Sequence, residues 1–183
     1  MKYLAFGEIM LRLKSVGQER LFQSPMLEAT FGGSEANAAI SMANYGLDVG
    51  FLSALPQNAV GQACAGELRR FGVDTSRILW KEGRMGVYYM EPGANQLPAR
   101  VIYDRADSAM ALTGPGEIDW DQAFQGVSWF HITGITPGIS RQALEFATAA
   151  ACLKHSIVGD YNRLSAQAVE ALAFGGSDGR ISR

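Results

Sequence analysis

The sequence predicts an α/β fold, built from short buried strands that alternate with helices. Three apolar runs, at 3–6, 49–55 and 127–132, lack the polar alternation of half-exposed strands and are typical of strands buried on both faces. Two segments of helical character, 34–45 and 60–71, are each followed by a glycine that ends the helix. With 183 residues and 48% apolar content, the chain has enough apolar side chain for the core of one ordinary domain.

The second helix carries an apolar stripe that predicts which of its faces is buried. Val60, Cys64, Leu68 and Phe71 recur at helical spacing, which places Cys64 on the core face. Cys152 is far away in sequence, and neither cysteine has a CxxC or histidine-rich neighbourhood. We therefore expect two reduced core thiols rather than a disulfide or a zinc site.

Charge is sparse and evenly mixed along the chain. There are 16 basic and 18 acidic residues, the net charge is -2, and no long run of one sign occurs. Such a surface has no feature that attracts nucleic acid or an anionic membrane, so we expect neither as a partner. The first apolar run is too short for a signal peptide, and no stretch has membrane-spanning length. A cytoplasmic location is therefore the expectation.

A double-glycine turn, Phe31-Gly32-Gly33-Ser34-Glu35-Ala36-Asn37, runs directly into the first helix. Adjacent glycines allow the backbone to approach a ligand closely, and the first amides of the helix face whatever lies in front of the turn. Asn37, one turn further on, offers both a donor and an acceptor. A tight strand–helix connection explains the glycines equally well, and the spacing does not decide between the two.

Residues 84–106 differ from the rest of the chain, because two strand-like runs flank the turn-rich segment Glu91–Gln96. They predict a β-hairpin with a longer loop. The segment 9–30 is mixed and polar, and we predict loop and irregular strand there. A hairpin in an α/β chain lies outside the main sheet, and with 9–30 it is expected to form a small sheet covering the Gly-Gly turn.

The last third predicts a short helix at 119–124, a helix at 140–153 and a further strand near 157–158. His131 lies within the apolar run at 127–132, so we expect a core histidine with one backbone partner. His155 lies in a polar approach and is expected to be exposed.

Six blocks in this order resemble the ribokinase/PfkB carbohydrate kinases. They are 5–8, 32–39, 46–61, 86–88, 103–109 and 131–137. The resemblance implies a doubly wound ribokinase-like sheet with a small β lid, here formed by segments of about 9–30 and 84–106. It implies ATP-dependent, Mg²⁺-assisted phosphorylation of 2-keto-3-deoxygluconate or a related sugar acid.

The resemblance also assigns sugar contacts. Tyrosine hydroxyls and an amide suit sugar hydroxyls, and Arg105 suits a carboxylate through a planar bidentate pair. Cross-strand packing is the alternative for the two tyrosines, and a solvated strand position is the alternative for the arginine. The expected substrate-binding residues are Gly33, Asn37, Tyr88, Tyr103 and Arg105, with Thr133, Ile135 and Arg163 less well supported.

The sequence departs from the family near its end. Asp160-Tyr161-Asn162-Arg163 is one residue short of the family's Asp-x-Asn-x-Arg, and 164–183 is a divergent tail. No Gly-Ala-Gly-Asp motif occurs, so the catalytic base and most of the nucleotide site are expected in a missing C-terminal part. Gly175-Gly176-Ser177-Asp178 is followed by too few residues for the required helix.

We therefore expect 1–183 to form one incomplete domain, inactive alone, and name no catalytic residue. A non-catalytic sugar-binding or dimerisation module is the alternative, and exposed lid strands predict a homo-oligomer joined through the lid. A dinucleotide-binding domain is disfavoured, because the first strand leads into Gly7-Glu8 rather than a GxGxxG turn.

Overall fold

Two four-stranded sheets organise residues 3–133, the part of the chain that this computed structural model describes. The strands are β1 (Tyr3–Phe6), β2 (Met10–Ser15), β3 (Leu27–Gly32), β4 (Val49–Pro56), β5 (Ile78–Lys81), β6 (Val87–Glu91), β7 (Arg100–Asp104) and β8 (Trp129–His131). The helices are α1 (Ser34–Asn44), α2 (Ala59–Arg70) and α3 (Trp120–Ala123).

The central sheet has the order β5-β4-β1-β8, and all of its pairings are parallel. Side chains of β1 alternate between two apolar clusters: Tyr3 and Ala5 pack with α1 and α2, and Leu4 and Phe6 pack with α3. Both faces of the sheet are therefore covered, which is why its strands are continuously apolar. The predicted α/β fold with a doubly wound parallel sheet is confirmed.

The order of the strands reverses beside β1. The chain moves from β1 to β4 and β5 on one side, and then crosses to β8 on the other. In open α/β sheets a crevice forms at such a reversal, outside the carboxyl ends of the strands. Glu8 follows β1 closely and Thr133 follows β8, so both lie at this edge.

The second helix forms where the sequence predicts it, with one correction to its stripe. The Asn58 side chain caps it by accepting hydrogen bonds from the backbone N–H groups of Val60 and Gly61. Cys64 and Leu68 are completely buried, as predicted, but Val60 is 38% exposed. It lies in the first turn of α2. Strand β5, which the sequence analysis did not identify, follows the helix.

The lid sheet, defined as β3, β2, β6 and β7 in that order, lies outside the central sheet. Two antiparallel hairpins, β2–β3 and β6–β7, are joined by parallel pairing between β2 and β6. Within 9–30, the prediction of irregular strand was wrong for 10–15 and 27–32, which are regular strands in full register, whereas 16–26 contains no regular strand or helix, as predicted. Arg12 and Lys14 alternate with Leu11 and Leu13 along β2, a pattern typical of a half-exposed strand.

His131 is half-buried in β8, where its ring stacks on that of Tyr3 at a centroid distance of 5.9 Å. Its Nε2 is buried and has no hydrogen-bond partner among the described residues. No helix within residues 3–133 is long and apolar enough to cross a membrane. The predictions for 140–153, 157–158, 164–183, Cys152 and His155 fall outside the described residues.

Candidate functional site

A cavity of about 280 Å³ lies between the lid sheet and the carboxyl end of β1. Its size is close to the lower end of the range of small-molecule pockets, about 300–1,000 Å³. It opens at the reversal of strand order, where α/β sheets bind ligands. The lining residues are Glu8, Met10, Gly32, Gly33, Ser34, Glu35, Asn37, Tyr88, Tyr103 and Arg105.

The Gly-Gly turn forms one wall, and both glycines lie close to neighbouring atoms. A Cβ on Gly33 would lie 2.5 Å from the backbone oxygen of Glu8, and one on Gly32 would lie 2.6 Å from the hydroxyl of Tyr88. Gly33 is extended, with φ -174°, so its conformation is open to any residue. Space, rather than a left-handed φ, explains this glycine, and the turn is both a tight connection and a cavity wall.

The opposite wall comes from the lid sheet. Tyr88 on β6 and Tyr103 on β7 are direct cross-strand partners, with ring centroids 5.9 Å apart and ring planes tilted by 37°. Both also line the cavity. The cross-strand packing considered as an alternative is thus present, and it is compatible with cavity-facing hydroxyls.

Arg105 enters from the end of β7 and is held by a buried carboxylate. Its Nε donates to Oε2 of Glu8 at 2.8 Å, and its Nη2 forms an ion pair with the same oxygen. The side chain of Glu8 is 3% exposed and that of Arg105 is 20% exposed. The solvated position considered as the alternative for Arg105 is therefore wrong.

A second buried carboxylate, Glu35, lies in the first turn of α1. It accepts hydrogen bonds from the hydroxyl of Ser34 at 2.9 Å and from the hydroxyl of Thr133 at 2.5 Å. An acidic group in this position is favoured by the positive end of the helix. A Cβ on Gly7 would lie 2.4 Å from its Cδ, so Gly7 provides the space that this carboxylate occupies.

The structure brings five of the eight predicted binding residues to the cavity: Gly33, Asn37, Tyr88, Tyr103 and Arg105. Thr133 is not among the lining residues, but it is bonded to Glu35 and close to Ser34. Ile135 and Arg163 fall outside the described residues. That any of these residues contacts a sugar stays a prediction.

Sequence reasoning missed the two glutamates that line the cavity. Glu8 and Glu35 are 5% and 2% exposed, and both are fixed by hydrogen bonds. For Glu8 the available signal was a charged residue two positions after a buried parallel strand, where strand ends form sites. Arg105 is the one basic residue of the lining and the two glutamates are its acidic residues, so the formal charge of the lining is -1.

No group of three or more His, Cys, Asp or Glu within residues 3–133 is arranged to hold a metal ion. The cavity lining is also unsuited to a triphosphate, because its two carboxylates outnumber its one cation. This cavity therefore does not fit a triphosphate.

Comparison with known proteins identifies the family to which this fold and cavity belong. The family model for the pfkB family carbohydrate kinases matches residues 2–173. The chain belongs to this family. It is 36% identical to a 2-dehydro-3-deoxygalactonokinase of Haloferax volcanii over 143 residues. The match covers 78% of this chain and 44% of that protein.

Solved structures agree with the assignment of the fold. A 2-dehydro-3-deoxygluconokinase of Thermotoga maritima is 42% identical, with a TM-score of 0.78 over 85% of this chain and 48% of that chain. A sugar kinase of Pyrococcus horikoshii, solved with ATP, is 23% identical with a TM-score of 0.59, covering 66% of this chain and 39% of that chain. The chain thus spans about half the length of the first two relatives, and less of the third.

Proposed function

We propose that this chain carries the sugar-acid site of a kinase that phosphorylates 2-keto-3-deoxygluconate or a close relative of it, with ATP as phosphoryl donor. The observation that carries the proposal is the convergence of Asn37, Tyr88, Tyr103 and Arg105 on one cavity. These are the amide, hydroxyl and guanidinium groups that a polyhydroxylated acid requires. The relatives named for ketodeoxy sugar acids support the same substrate class.

The cavity offers each part of such a substrate a chemically suitable partner. Asn37 is exposed at the cavity and offers an amide to hydroxyl groups. The Nη1 of Arg105 has no hydrogen-bond partner among the described residues, whereas Nε and Nη2 are bonded to Glu8. The edge formed by Nη1 and Nη2 is the one suited to a substrate carboxylate, which preserves the predicted bidentate contact.

Binding of the acid is tested by calorimetry on the 183-residue chain with 2-keto-3-deoxygluconate and no nucleotide. Asn37→Ala removes one amide from the cavity and is expected to weaken binding by about three- to tenfold, the cost of one hydrogen bond. Asn44→Ala, at the exposed far end of the same helix, is the matched control and should bind as the unaltered chain does. Equal affinities of both variants would contradict the proposed site.

Phosphoryl transfer by this chain is a separate question. The sequence contains no Gly-Ala-Gly-Asp motif, and the lining of the cavity does not fit a triphosphate. We therefore propose that the chain alone binds the sugar acid without turning over ATP and Mg²⁺. Sugar-dependent ADP release that Arg105→Ala abolishes would overturn this part of the proposal.

A homo-oligomer joined through the lid sheet is the second candidate role. Every residue of β7 is exposed, and this strand is an edge that pairs with β6 alone within the described range. Ile102 on β7 and Leu47 after α1 are both 45% exposed. If the lid pairs two copies, sedimentation should show a dimer that Ile102→Lys disrupts and Leu47→Lys leaves intact.

A further inference from the structure

We propose that Glu8 is a positioning residue that holds Arg105 in the orientation required for recognition of a substrate carboxylate. The inference rests on the proposed function, because it assigns a role within the same cavity. Sequence reasoning did not identify Glu8 as a site residue. The proposed role does not require Glu8 to contact a sugar hydroxyl. Its basis is a chain of hydrogen bonds that leads from the core to the cavity.

Glu8 is the fixed member of the pair. Its Oε1 accepts a hydrogen bond from the hydroxyl of Ser108 at 2.6 Å, and that hydroxyl accepts one from the backbone N–H of Ala111 at 3.1 Å. A Cβ on Gly86 would lie 2.6 Å from Oε1, so the surrounding backbone is fitted closely to the carboxylate. Such a buried, fully bonded carboxylate has one position available to it.

Arg105 depends on this anchor. Apart from Glu8, the described contact of its side chain is the ring of Tyr103, 5.9 Å from the guanidinium carbon. An arginine side chain has many rotamers, and fixing it in advance lowers the entropy lost when a ligand binds. Without Glu8, the guanidinium is expected to turn into water, where it is better solvated.

The negative charge of Glu8 by itself disfavours an acidic ligand, whereas its positioning of Arg105 favours one. This opposition makes the inference testable. A carboxylate beside Arg105 repels the carboxylate of the substrate, so a purely electrostatic role predicts tighter acid binding when Glu8 is neutralised. A positioning role predicts weaker acid binding. The same substitution therefore distinguishes the two roles by the direction of its effect.

The experiment compares two ligands by calorimetry: 2-keto-3-deoxygluconate and its analogue with CH₂OH in place of the carboxylate. In the Glu8→Gln variant the preference for the acid should fall about tenfold or more, as for a broken buried charge pair. Affinity for the neutral analogue should change less than about twofold, because it does not require Arg105. An unchanged or increased preference for the acid would overturn the inference.

Two further variants separate positioning from general destabilisation. Ser108→Ala removes one hydrogen bond to Glu8 but keeps the ion pair, and should give a smaller loss of acid preference in the same direction. Glu91→Gln is the matched control: Glu91 is 8% exposed, accepts from Arg20 in the lid region and does not line the cavity. It should leave the preference unchanged, and an equal loss there would overturn the inference.

A measurement without ligand separates this inference from the proposed function. In ¹⁵N-labelled protein the Nε–H of Arg105 should give a resonance protected from exchange with water, lost in Glu8→Gln and retained in Glu91→Gln. If that resonance behaves so while the unaltered chain shows no acid preference, the proposed substrate is wrong and the positioning of Arg105 stands. An Nε–H that exchanges freely in the unaltered chain would overturn the inference.

Discussion

Glu35 and Thr133 connect two segments that are 98 residues apart in sequence. The hydroxyl of Thr133 donates to Oε1 of Glu35 at 2.5 Å, and the backbone N–H of Thr133 donates to the same oxygen at 3.3 Å. The contact joins the first turn of α1 to the end of β8, across the reversal of strand order where the cavity opens.

Thr133→Val removes a hydroxyl that donates to a buried carboxylate. Hydrogen bonds to charged groups contribute about 1.5–3 kcal/mol, and a change of 1 kcal/mol shifts the melting temperature by about 2–4 °C at this chain length. We expect the melting temperature, measured by circular dichroism, to fall by about 3–12 °C. Thr30→Val, which removes an exposed hydroxyl bonded to Arg12, should change it by about 2 °C or less.

Gly33→Ala places a methyl group 2.5 Å from the backbone oxygen of Glu8. Because that contact is with backbone, it cannot be relieved by rotation of a side chain, and we expect a loss of about 1–3 kcal/mol in the free energy of unfolding. Gly66→Ala, inside α2 with its nearest neighbour 3.9 Å away, should instead add about 0.5–1 kcal/mol. Urea unfolding of both variants checks this, and a gain for Gly33→Ala would contradict the described turn.

Glu91 should contribute stability that depends on pH. The backbone N–H of Leu21, together with Arg20, holds the pKa of its carboxyl below the usual value of 4.5. A lowered folded pKa gives stability that is present above the unfolded pKa and is lost as the pH falls through the folded pKa. The difference in unfolding free energy between the unaltered chain and Glu91→Gln should therefore shrink below about pH 4.5. A difference that stays constant down to pH 2 would contradict it.

Cys64 should be unreactive in the folded chain. It is completely buried, and burial raises the pKa of its thiol to about 12. Since the thiolate is the reactive form, iodoacetamide at pH 8 should leave it unlabelled until denaturant is added. Peptide mapping by mass spectrometry distinguishes it from Cys152. Labelling of Cys64 under native conditions, at the rate of a free thiol, would contradict its placement in the core.

Local patterns were sufficient where each residue's neighbours in sequence are also its neighbours in structure. The apolar runs at 3–6 and 49–55 became β1 and β4, and the stripe containing Cys64 and Leu68 became the buried face of α2. Strand β5 was missed because its four residues include Trp80 and Lys81 and show no clear period. The hairpin of β2 and β3 was missed because its charged residues interrupt the apolar pattern.

The sequence by itself determined the alternation of strands and helices, the Gly-Gly turn and the family resemblance, because these depend on short-range spacing and residue type. Only the tertiary structure decided that Gly33 is required by the proximity of Glu8, and that Arg105 is paired with Glu8 across 97 residues. Such contacts depend on how the lid sheet lies against the carboxyl end of β1. Glu8 is only a charged residue after the first apolar run in the sequence, but in the fold it is the buried anchor of the cavity's one arginine.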